Sequence, residues 1–486
     1  MHSKSTYASP FRRLAGAAFV TGAVFAAVLL GACSDFLSAE NPAAVETGVL
    51  EDSSFVDLMA NSAINSLQAP NPFGGTNDFW LTYLGAIFTD ELRNHHVFAD
   101  EILYDQRRVT VSNSYNNIFT YGPIQRGRWL ADSLAARMRI IYPDSSLHDV
   151  RLARTYAIAG YHLIHLAEGW CEVPIAPAGQ RYGGLVQSDS LFRLAEIRFD
   201  SAIKVAIAAK TANAPVQTPA GQRFSLAADS IRNFALVGMA RAALGRNDKV
   251  KAALAARQVA GILPGNDFEY RLFHNSNTTS GLQNIYQDRL SGGGGVTSGS
   301  ISGTPFFALD DARVPHPINA TTGAPLPEAV QGTGSFVVPN SPPSHSTFSG
   351  TKIGADFSYG GSIRIASLLE ARYILAEAEG PTGTNIAFIE SRRLAFPSTT
   401  AQTPTTSANF LANLIDQRRR DFYLDGHRMG DLRRYKRLYN LDFYPKGPYL
   451  GSNITTYGDV MCWPINFAEI TNNPLVPKPY NPPTGP

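Results

Sequence analysis

The sequence predicts a mostly α-helical fold, in which helical hairpins of the tetratricopeptide type are joined to a loop-rich region. Apolar residues recur every three to four positions over much of residues 51–270, which indicates helices that each bury one face. Small residues alternate with aromatic residues on these faces and let paired helices approach closely. The helical period is almost absent from residues 271–361, which are rich in Gly and Pro, and it resumes within residues 362–486.

The first 32 residues predict a secretory signal peptide. Three basic residues precede an uncharged stretch from Leu14 to Cys33 that is rich in Ala and Gly. A single transmembrane helix is the alternative, because about 20 apolar residues suffice to span a bilayer. The small residues at the end of the stretch favour cleavage by a signal peptidase.

The end of this stretch, Leu30-Gly31-Ala32-Cys33, resembles the lipobox of bacterial lipoproteins. The resemblance implies that Cys33 is lipidated and becomes the first mature residue, with residues 33–50 as a tether. Each buried methylene of an acyl chain contributes about 0.8 kcal/mol, so several chains on one Cys hold a soluble domain at a membrane.

Within residues 51–270, amphipathic stripes predict at least four helices, over 149–169, 191–209, 226–244 and 249–260. Gly245 opens a short turn between the last two, which therefore form a helical hairpin. In the last helix we expect Val250, Ala253 and Leu254 on the buried face. No strict 34-residue repeat is present.

Three further helices are predicted in the C-terminal region, over 363–380, 409–423 and 429–439. In the first of them Ile365, Leu368, Leu369, Arg372 and Tyr373 share one helical face.

Four segments, in the same order along the chain, resemble motifs of the SusD/RagB family. They are Arg154–Pro174, Arg364–Gly380, Ile415–Arg434 and Trp463–Leu475. The most specific is the third, IDQRRRDFYLDGHRMGDLRR, which resembles the family pattern I-x-x-E-R-x-x-E-F-x-x-E-G-x-R-x-x-D-L-x-R. Gln417, Asp421 and Asp425 replace the Glu residues of that pattern. The last segment keeps a Pro-Ile pair, Glu469 and an Asn-Pro pair of the family's terminal motif.

The resemblance to this family implies function as well as fold. It implies a lipid-anchored protein on the cell surface of the outer membrane that binds a nutrient polymer or oligomer, either a glycan or a peptide. It also implies a partner, a SusC-like TonB-dependent transporter to which the ligand is delivered. It implies no enzymatic activity and no cofactor.

Exposed aromatic residues flanked by polar ones are the candidates for ligand contact, because flat apolar faces stack on sugar rings or peptide groups. We therefore expect Trp80 and Tyr83 to contact the ligand. The resemblance to the SusD/RagB family, whose binding loops lie between the helical stack and the C-terminal helices, adds Phe306, Phe307 and Arg313 as a second choice. Packing in the core is the alternative for each of them.

The composition is that of a globular protein, and a formal charge of +2 does not indicate a nucleic-acid partner. A local basic run from Asp416 to Arg437 holds eight Lys or Arg and four Asp. Because acidic residues recur among the basic ones, a salt-bridge network that locks two helices around Gly426 is favoured over nucleic-acid binding. Cys171 and Cys462 form either a disulfide or two buried thiols.

Two alternative functions remain open at this point: an exported hydrolase on a helical scaffold, and a tetratricopeptide scaffold that binds other proteins. Asp310-Asp311 is a weak candidate for paired carboxylates. His162, His165 and Glu168 share a helical face, but no HExxH motif is present, and we expect no metal site. No Walker loop, nucleophile elbow or dinucleotide motif occurs in the sequence.

Overall fold

The computed structural model describes residues 52–68, 80–94, 98–177, 180–213, 219–261, 267–274, 299–300, 304–306, 309, 311, 313–314, 362–396, 402–449 and 455–485. Thirteen α-helices lie within these ranges. They are α1 (Val56–Gln68), α2 (Trp80–Phe88), α3 (Ala99–Asp105), α4 (Gly122–Ile141), α5 (Val150–Gly169), α6 (Ser188–Asn213), α7 (Pro219–Gly245), α8 (Lys249–Arg257), α9 (Leu368–Glu379), α10 (Gly383–Ala395), α11 (Phe410–Asp421), α12 (Arg428–Tyr439) and α13 (Phe467–Asn472).

Six short strands form three antiparallel two-stranded ladders in the same ranges. The pairs are β1 (Arg93–Asn94) with β5 (Gly299–Ser300), β2 (Glu172–Pro174) with β3 (Leu185–Gln187), and β4 (Glu269–Leu272) with β6 (Ile363–Ser367). The predicted mostly α-helical fold is therefore confirmed.

The helices from α4 to α9 pack in sequence, each against the next, as expected for tetratricopeptide-like hairpins. The closest approach is at Phe199 of α6, whose ring fills the space left by two glycines. A Cβ added at Gly160 of α5 would lie 2.6 Å from the Phe199 ring, and Gly238 of α7 is blocked by the same ring. Small residues thus accept a large neighbour, as the sequence pattern indicated.

The predicted helices of the first region are present, with two differences. The helices α6 and α7 are longer than predicted, whereas α8 ends at Arg257. The predicted buried face of α8 is wrong for Val250 and Leu254, which are 73% and 55% exposed. Four Ala residues form the buried face instead, because α8 packs closely against α7 and α9, where short side chains are needed.

The predicted helix over 363–380 begins later than expected. Residues Ile363–Ser367 form strand β6, and α9 begins only at Leu368, where the hydroxyl of Ser367 accepts a hydrogen bond from the backbone N–H of Glu370. The alternating Ile363 and Ile365 suit a strand that pairs with β4, and this pairing outweighs the helical period.

The ladder of β4 with β6 joins the two ends of the predicted loop-rich region. Leu272 pairs with Ile363, so the chain leaves and re-enters the described fold at neighbouring positions. Most of residues 275–361 lie outside the described residues, as do the predicted signal peptide, Cys33 and the tether. Within the described residues, no helix combines the length and the apolar character needed to cross a membrane.

The two cysteines left open by the sequence form a disulfide. Cys171 follows α5 and Cys462 precedes the terminal segment, and their Cα atoms are 5.5 Å apart. Next to them the indole rings of Trp170 and Trp463 pack edge to face, with centroids 5.1 Å apart. The disulfide and this ring pair fasten the C-terminal segment to the end of α5.

The glycine contact at Phe199 generates a stability prediction. Gly160→Ala places a methyl group against the buried Phe199 ring, and we expect the free energy of unfolding to fall by about 1–3 kcal/mol. The matched control is Gly85→Ala in α2, where an added Cβ meets nothing within 4 Å, so stability should rise slightly. Urea denaturation followed by circular dichroism measures both, and equal midpoints for the two variants would contradict the packing described here.

Candidate functional site

The predicted ligand contacts are mostly interior residues. Tyr83 and Phe306 are 0% exposed and Arg313 is 1% exposed. The Tyr83 hydroxyl donates to Glu101 over 3.2 Å, and the Phe306 ring packs on Tyr423 with centroids 4.9 Å apart. Burial removes the exposed aromatic face that was expected at Tyr83, whereas Arg313 also lines a cavity described below. Contact of these three residues with a ligand stays a prediction.

Two other predicted contacts lie where the structure gives no side-chain description. Trp80 is the first residue of α2, but its side chain is outside the described residues, and Phe307 is outside them entirely. Their role in ligand contact stays a prediction.

Arg313 belongs to a buried cluster of charges. Its guanidinium donates to Asp311 over 2.7 Å and to Gln417 over 2.9 Å, and it lies 3.3 Å from Asp421. Asp311 also pairs with Arg420 at 3.1 Å. Asp311, suggested as half of a catalytic carboxylate pair, is thus an ion-pair partner, while Asp310 lies outside the described residues.

The network predicted around Gly426 is present and is buried. Asp431 of α12 accepts from Arg418 of α11 over 2.7 Å and from Arg434 over 2.9 Å, and Arg434 also donates to Glu377 of α9 over 2.8 Å. Burial by itself raises the pKa of Asp431, but the two guanidinium groups outweigh it and hold the pKa well below its ordinary value.

Gly426 permits the sharp connection between α11 and α12. Its φ is +75°, a conformation that favours glycine, and an added Cβ would lie 2.5 Å from the Thr82 methyl carbon. Directly after it, Arg428 donates to Asp90 over 2.6 and 2.7 Å. The basic run therefore serves to dock α2 onto the C-terminal helices.

The three residues considered for a metal site have other roles. Glu168 accepts from Arg241 over 2.6 Å, and the Nε2 atom of His162 lies 3.0 Å from the Ser66 hydroxyl. Burial, with a smaller contribution from Arg128, lowers the pKa of His162 to about 3. Burial also lowers the pKa of His165. Within the described residues, no group of three or more His, Cys, Asp or Glu side chains is arranged to hold a metal ion.

A cavity of about 230 Å³ lies between the ends of α5 and α7, the start of α6 and the face of α12. Its buried arginine, Arg433, donates to the carbonyls of Ala167 and Glu168 over 2.7 Å each, and so caps the C-terminus of α5. Arg437 donates to the carbonyl of Gly245 at the end of α7. These arginines are occupied by helix ends, so this cavity is a structural junction.

A larger cavity, of about 420 Å³, lies between the β4–β6 ladder and helices α9, α10 and α11. We call it the arginine cavity. Its lining combines five arginines, three acidic residues, two serines and three apolar side chains: Arg271, Arg313, Arg364, Arg372, Arg392, Asp267, Glu269, Asp421, Ser367, Ser391, Phe268, Leu369 and Phe388.

The two acidic residues within the lining that form ion pairs accept hydrogen bonds with both of their carboxylate oxygens. Asp421 accepts from Arg392 over 2.6 and 2.9 Å and from the Tyr373 hydroxyl over 2.5 Å. Glu269 accepts from Arg271 over 2.7 Å with one oxygen and from Arg364 over 3.2 Å with the other. Burial alone raises the pKa of Asp421, but the hydrogen bonds and charges of the arginines outweigh it, so its pKa is lowered.

Arg372 differs from the other arginines of the cavity. Its side chain is exposed, one helical turn after Leu369, and it makes no hydrogen bond or ion pair within the described part of the chain. Phe388 is half-buried, and its ring packs edge to face on Tyr373 with centroids 5.1 Å apart. An accessible guanidinium beside an aromatic face is an arrangement that binds sugars, through hydrogen bonds and stacking.

The sequence reasoning did not select Arg372, Phe388 or Arg392 as site residues. One signal was present in the sequence. Arg372 lies on the same helical stripe as Leu368 and Leu369, and that stripe is otherwise apolar. A charged residue in such a stripe indicates either a buried ion pair or a cavity at that point of the helix. Arg392 and Phe388 carried no comparable signal, because they reach the cavity through the packing of α10 on α11.

Comparisons with known proteins agree with this architecture. Residues 370–482 match the SusD family model. No curated protein matches the chain. Among solved structures, a SusD superfamily protein from Bacteroides fragilis is similar, with a TM-score of 0.59 and 12% identity, over 87% of this chain and 99% of that one.

Two further similar structures are of proteins named for the glycans that they bind. A laminarin-binding SusD-like protein gives a TM-score of 0.57 at 14% identity, over 88% of this chain and 100% of that one. Surface glycan-binding protein A from Bacteroides thetaiotaomicron, in complex with laminarihexaose, gives a TM-score of 0.55 at 14% identity. The match covers 86% of this chain and 97% of that one. At these identities the likeness shows the fold.

Residues 370–482 thus match the SusD family in sequence, and the described residues share the fold of SusD-like proteins. To this extent the resemblance of the four motifs to the SusD/RagB family is confirmed.

The buried network generates a second prediction. Asp431→Ala removes the shared partner of Arg418 and Arg434 and leaves two buried cations without it, so we expect a loss of about 3–5 kcal/mol in the free energy of unfolding. Asp200→Ala is the matched control, because its partner Lys204 is exposed and the loss should stay below about 0.5 kcal/mol. Chemical denaturation distinguishes them, and a loss at Asp431 as small as at Asp200 would contradict the proposed importance of the network.

The depressed pKa of His162 predicts a loss of stability in acid. Between the ordinary pKa and about 3, the unfolded chain binds a proton at this residue and the folded chain does not. The contribution of His162 to the free energy of unfolding is therefore fully present above the ordinary pKa. It falls as the pH falls below that value, by up to about 1.4 kcal/mol per pH unit. The free energy of unfolding should be measured at pH 7 and at pH 4.5. The decrease between these two pH values should be smaller for His162→Gln than for the parent protein, by about 2 kcal/mol. The exposed His148 provides the control variant His148→Gln, which should keep the full difference.

Proposed function

We propose that this protein is a lipid-anchored, surface-exposed outer-membrane protein that binds a nutrient glycan and delivers it to a SusC-like TonB-dependent transporter. The observation that carries the proposal is the SusD family match over residues 370–482, within a fold shared with SusD-like proteins over most of the chain. Two of the similar structures are described by carbohydrate ligands, which favours a glycan over a peptide.

We place the ligand at the arginine cavity. The β4–β6 ladder, which forms one wall, joins the two ends of the predicted loop-rich region at Leu272 and Ile363. The two flanks of that region therefore lie in one wall of the cavity that Arg372 and Phe388 also line. Trp80 and Phe307 remain proposed ligand contacts from the sequence.

A binding role fits the chemistry of the cavity better than hydrolysis. A glycosidase needs one carboxyl group that is protonated near neutral pH and a second one nearby. The pKa of Asp421 is lowered instead, and its oxygens are occupied by Arg392 and Tyr373. The Ser391 hydroxyl donates to the carbonyl of Phe388 over 2.6 Å and has no His beside it within the described lining. The tetratricopeptide-scaffold alternative has no observation in its favour.

Binding without turnover is the test of this function. Isothermal titration calorimetry with a panel of plant and algal oligosaccharides should give a dissociation constant in the micromolar range, and chromatography should recover the ligand uncut. Phe388→Ala should weaken binding roughly fivefold to tenfold, the loss expected for one aromatic stack. Arg193→Ala, an exposed residue of α6 outside the cavity, should bind as the parent does. Shortened products, or no glycan bound by a folded protein, would overturn the proposal.

Anchoring is tested separately in cells. Labelling with a fatty-acid analogue should mark the parent protein and not Cys33→Ala, and only the parent should co-purify with outer membranes and a large barrel protein. Equal labelling of both would contradict lipidation at Cys33, and the variant's retention in the membrane would point to an uncleaved leader.

A further inference from the structure

We infer that the ligand of the arginine cavity is an acidic glycan, one whose sugars carry carboxylate groups. This inference rests on the proposed function and makes its substrate class more specific. It follows from three properties of the cavity: its excess of arginines over acidic residues, the ion pairs that Glu269 and Asp421 already form with protein groups, and the availability of Arg372.

The lining holds five arginines and three acidic residues. Three of the arginines serve the fold, since Arg313, Arg364 and Arg271 each have a carboxylate partner and a second protein partner. Arg392 pairs with Asp421 but is partly exposed. Arg372 has no partner in the described part of the chain. The positive charge open to a ligand is therefore that of Arg372, with Arg392 beside the same cavity.

Hydrogen-bonding capacity points the same way. The hydroxyl groups of a neutral sugar both donate and accept, and they need acceptors as well as donors in the protein. Both oxygens of Glu269 and both of Asp421 already accept hydrogen bonds from protein groups. Asp267, which is exposed, forms no ion pair within the described residues. A cavity whose arginine donors outnumber its carboxylate acceptors suits a ligand group that only accepts, such as a carboxylate.

Two features strengthen the attraction at Arg372. A guanidinium presents two parallel N–H groups that match a carboxylate in a bidentate pair. The N-terminus of α9, capped by Ser367, belongs to the same lining, and its partial positive charge favours an anion. Phe388 and Leu369 add apolar surface for the sugar ring.

The test compares acidic with neutral oligosaccharides, and it includes one pair, hexagalacturonate and its methyl ester, that share the same backbone and differ in charge. Calorimetry on the intact protein uses hexagalacturonate, its fully methyl-esterified form, hexamannuronate and laminarihexaose. We expect at least one of the two acidic oligomers to bind at least tenfold tighter than laminarihexaose. If that oligomer is hexagalacturonate, its methyl ester should bind about tenfold more weakly than the acid does. A rising salt concentration should weaken the acidic complex.

Variants assign the effect to the cavity. Arg372→Gln should weaken the acidic complex about tenfold and neutral binding by a smaller factor, Arg372→Lys should restore part of the acidic complex, and Arg193→Gln should change neither. Tighter or equal binding of neutral glycans, or an acidic complex that ignores Arg372→Gln, overturns this inference while the proposed function stands. Binding of none of the glycans by a folded protein removes both.

Discussion

The pairing of buried guanidinium groups with carboxylates is the constraint on which the rest of this structure depends. Asp431 joins α11 to α12, Glu377 joins α9 to α12, and Asp90 joins the segment after α2 to the same helix. A buried charge that loses its partner costs several kcal/mol. Separating these helices would break the ion pairs between them, so the pairs hold the helices together. The C-terminal motif is thus a clamp on helices that lie far apart in sequence.

This network also accounts for the local excess of basic residues between 416 and 437. Asp90 and Glu377 lie outside the run and supply two of the missing negative charges. Arg433 and Arg437 need no carboxylate, since they donate to the carbonyls that end α5 and α7, where the helix dipole is negative. Burial lowers the pKa of Arg433 to about 10, which still leaves it charged at neutral pH. The run is neutralised inside the protein and is not a surface for nucleic acid.

Sequence periodicity predicted the helices well because each stripe reports on the helix's own burial. It failed where the partner was distant. Residues 363–367 satisfy a helical period, yet β4, about ninety positions earlier, holds them as a strand. Val250 and Leu254 are apolar but exposed, because the tight contact of α8 selects its alanines. Tyr83 and Arg313 have polar neighbours in sequence and buried partners in space, and no local pattern shows which partner a residue meets.

The same clamp fixes the chemistry of the arginine cavity. Asp421 is the last residue of α11, and it orients Arg392 of α10 through two hydrogen bonds while lying beside Arg313. Because Asp421 is saturated by these groups, it cannot also neutralise Arg372, which faces the cavity from α9 without a partner in the described chain. The fold therefore uses its carboxylates to hold the helices and leaves one cation for a ligand.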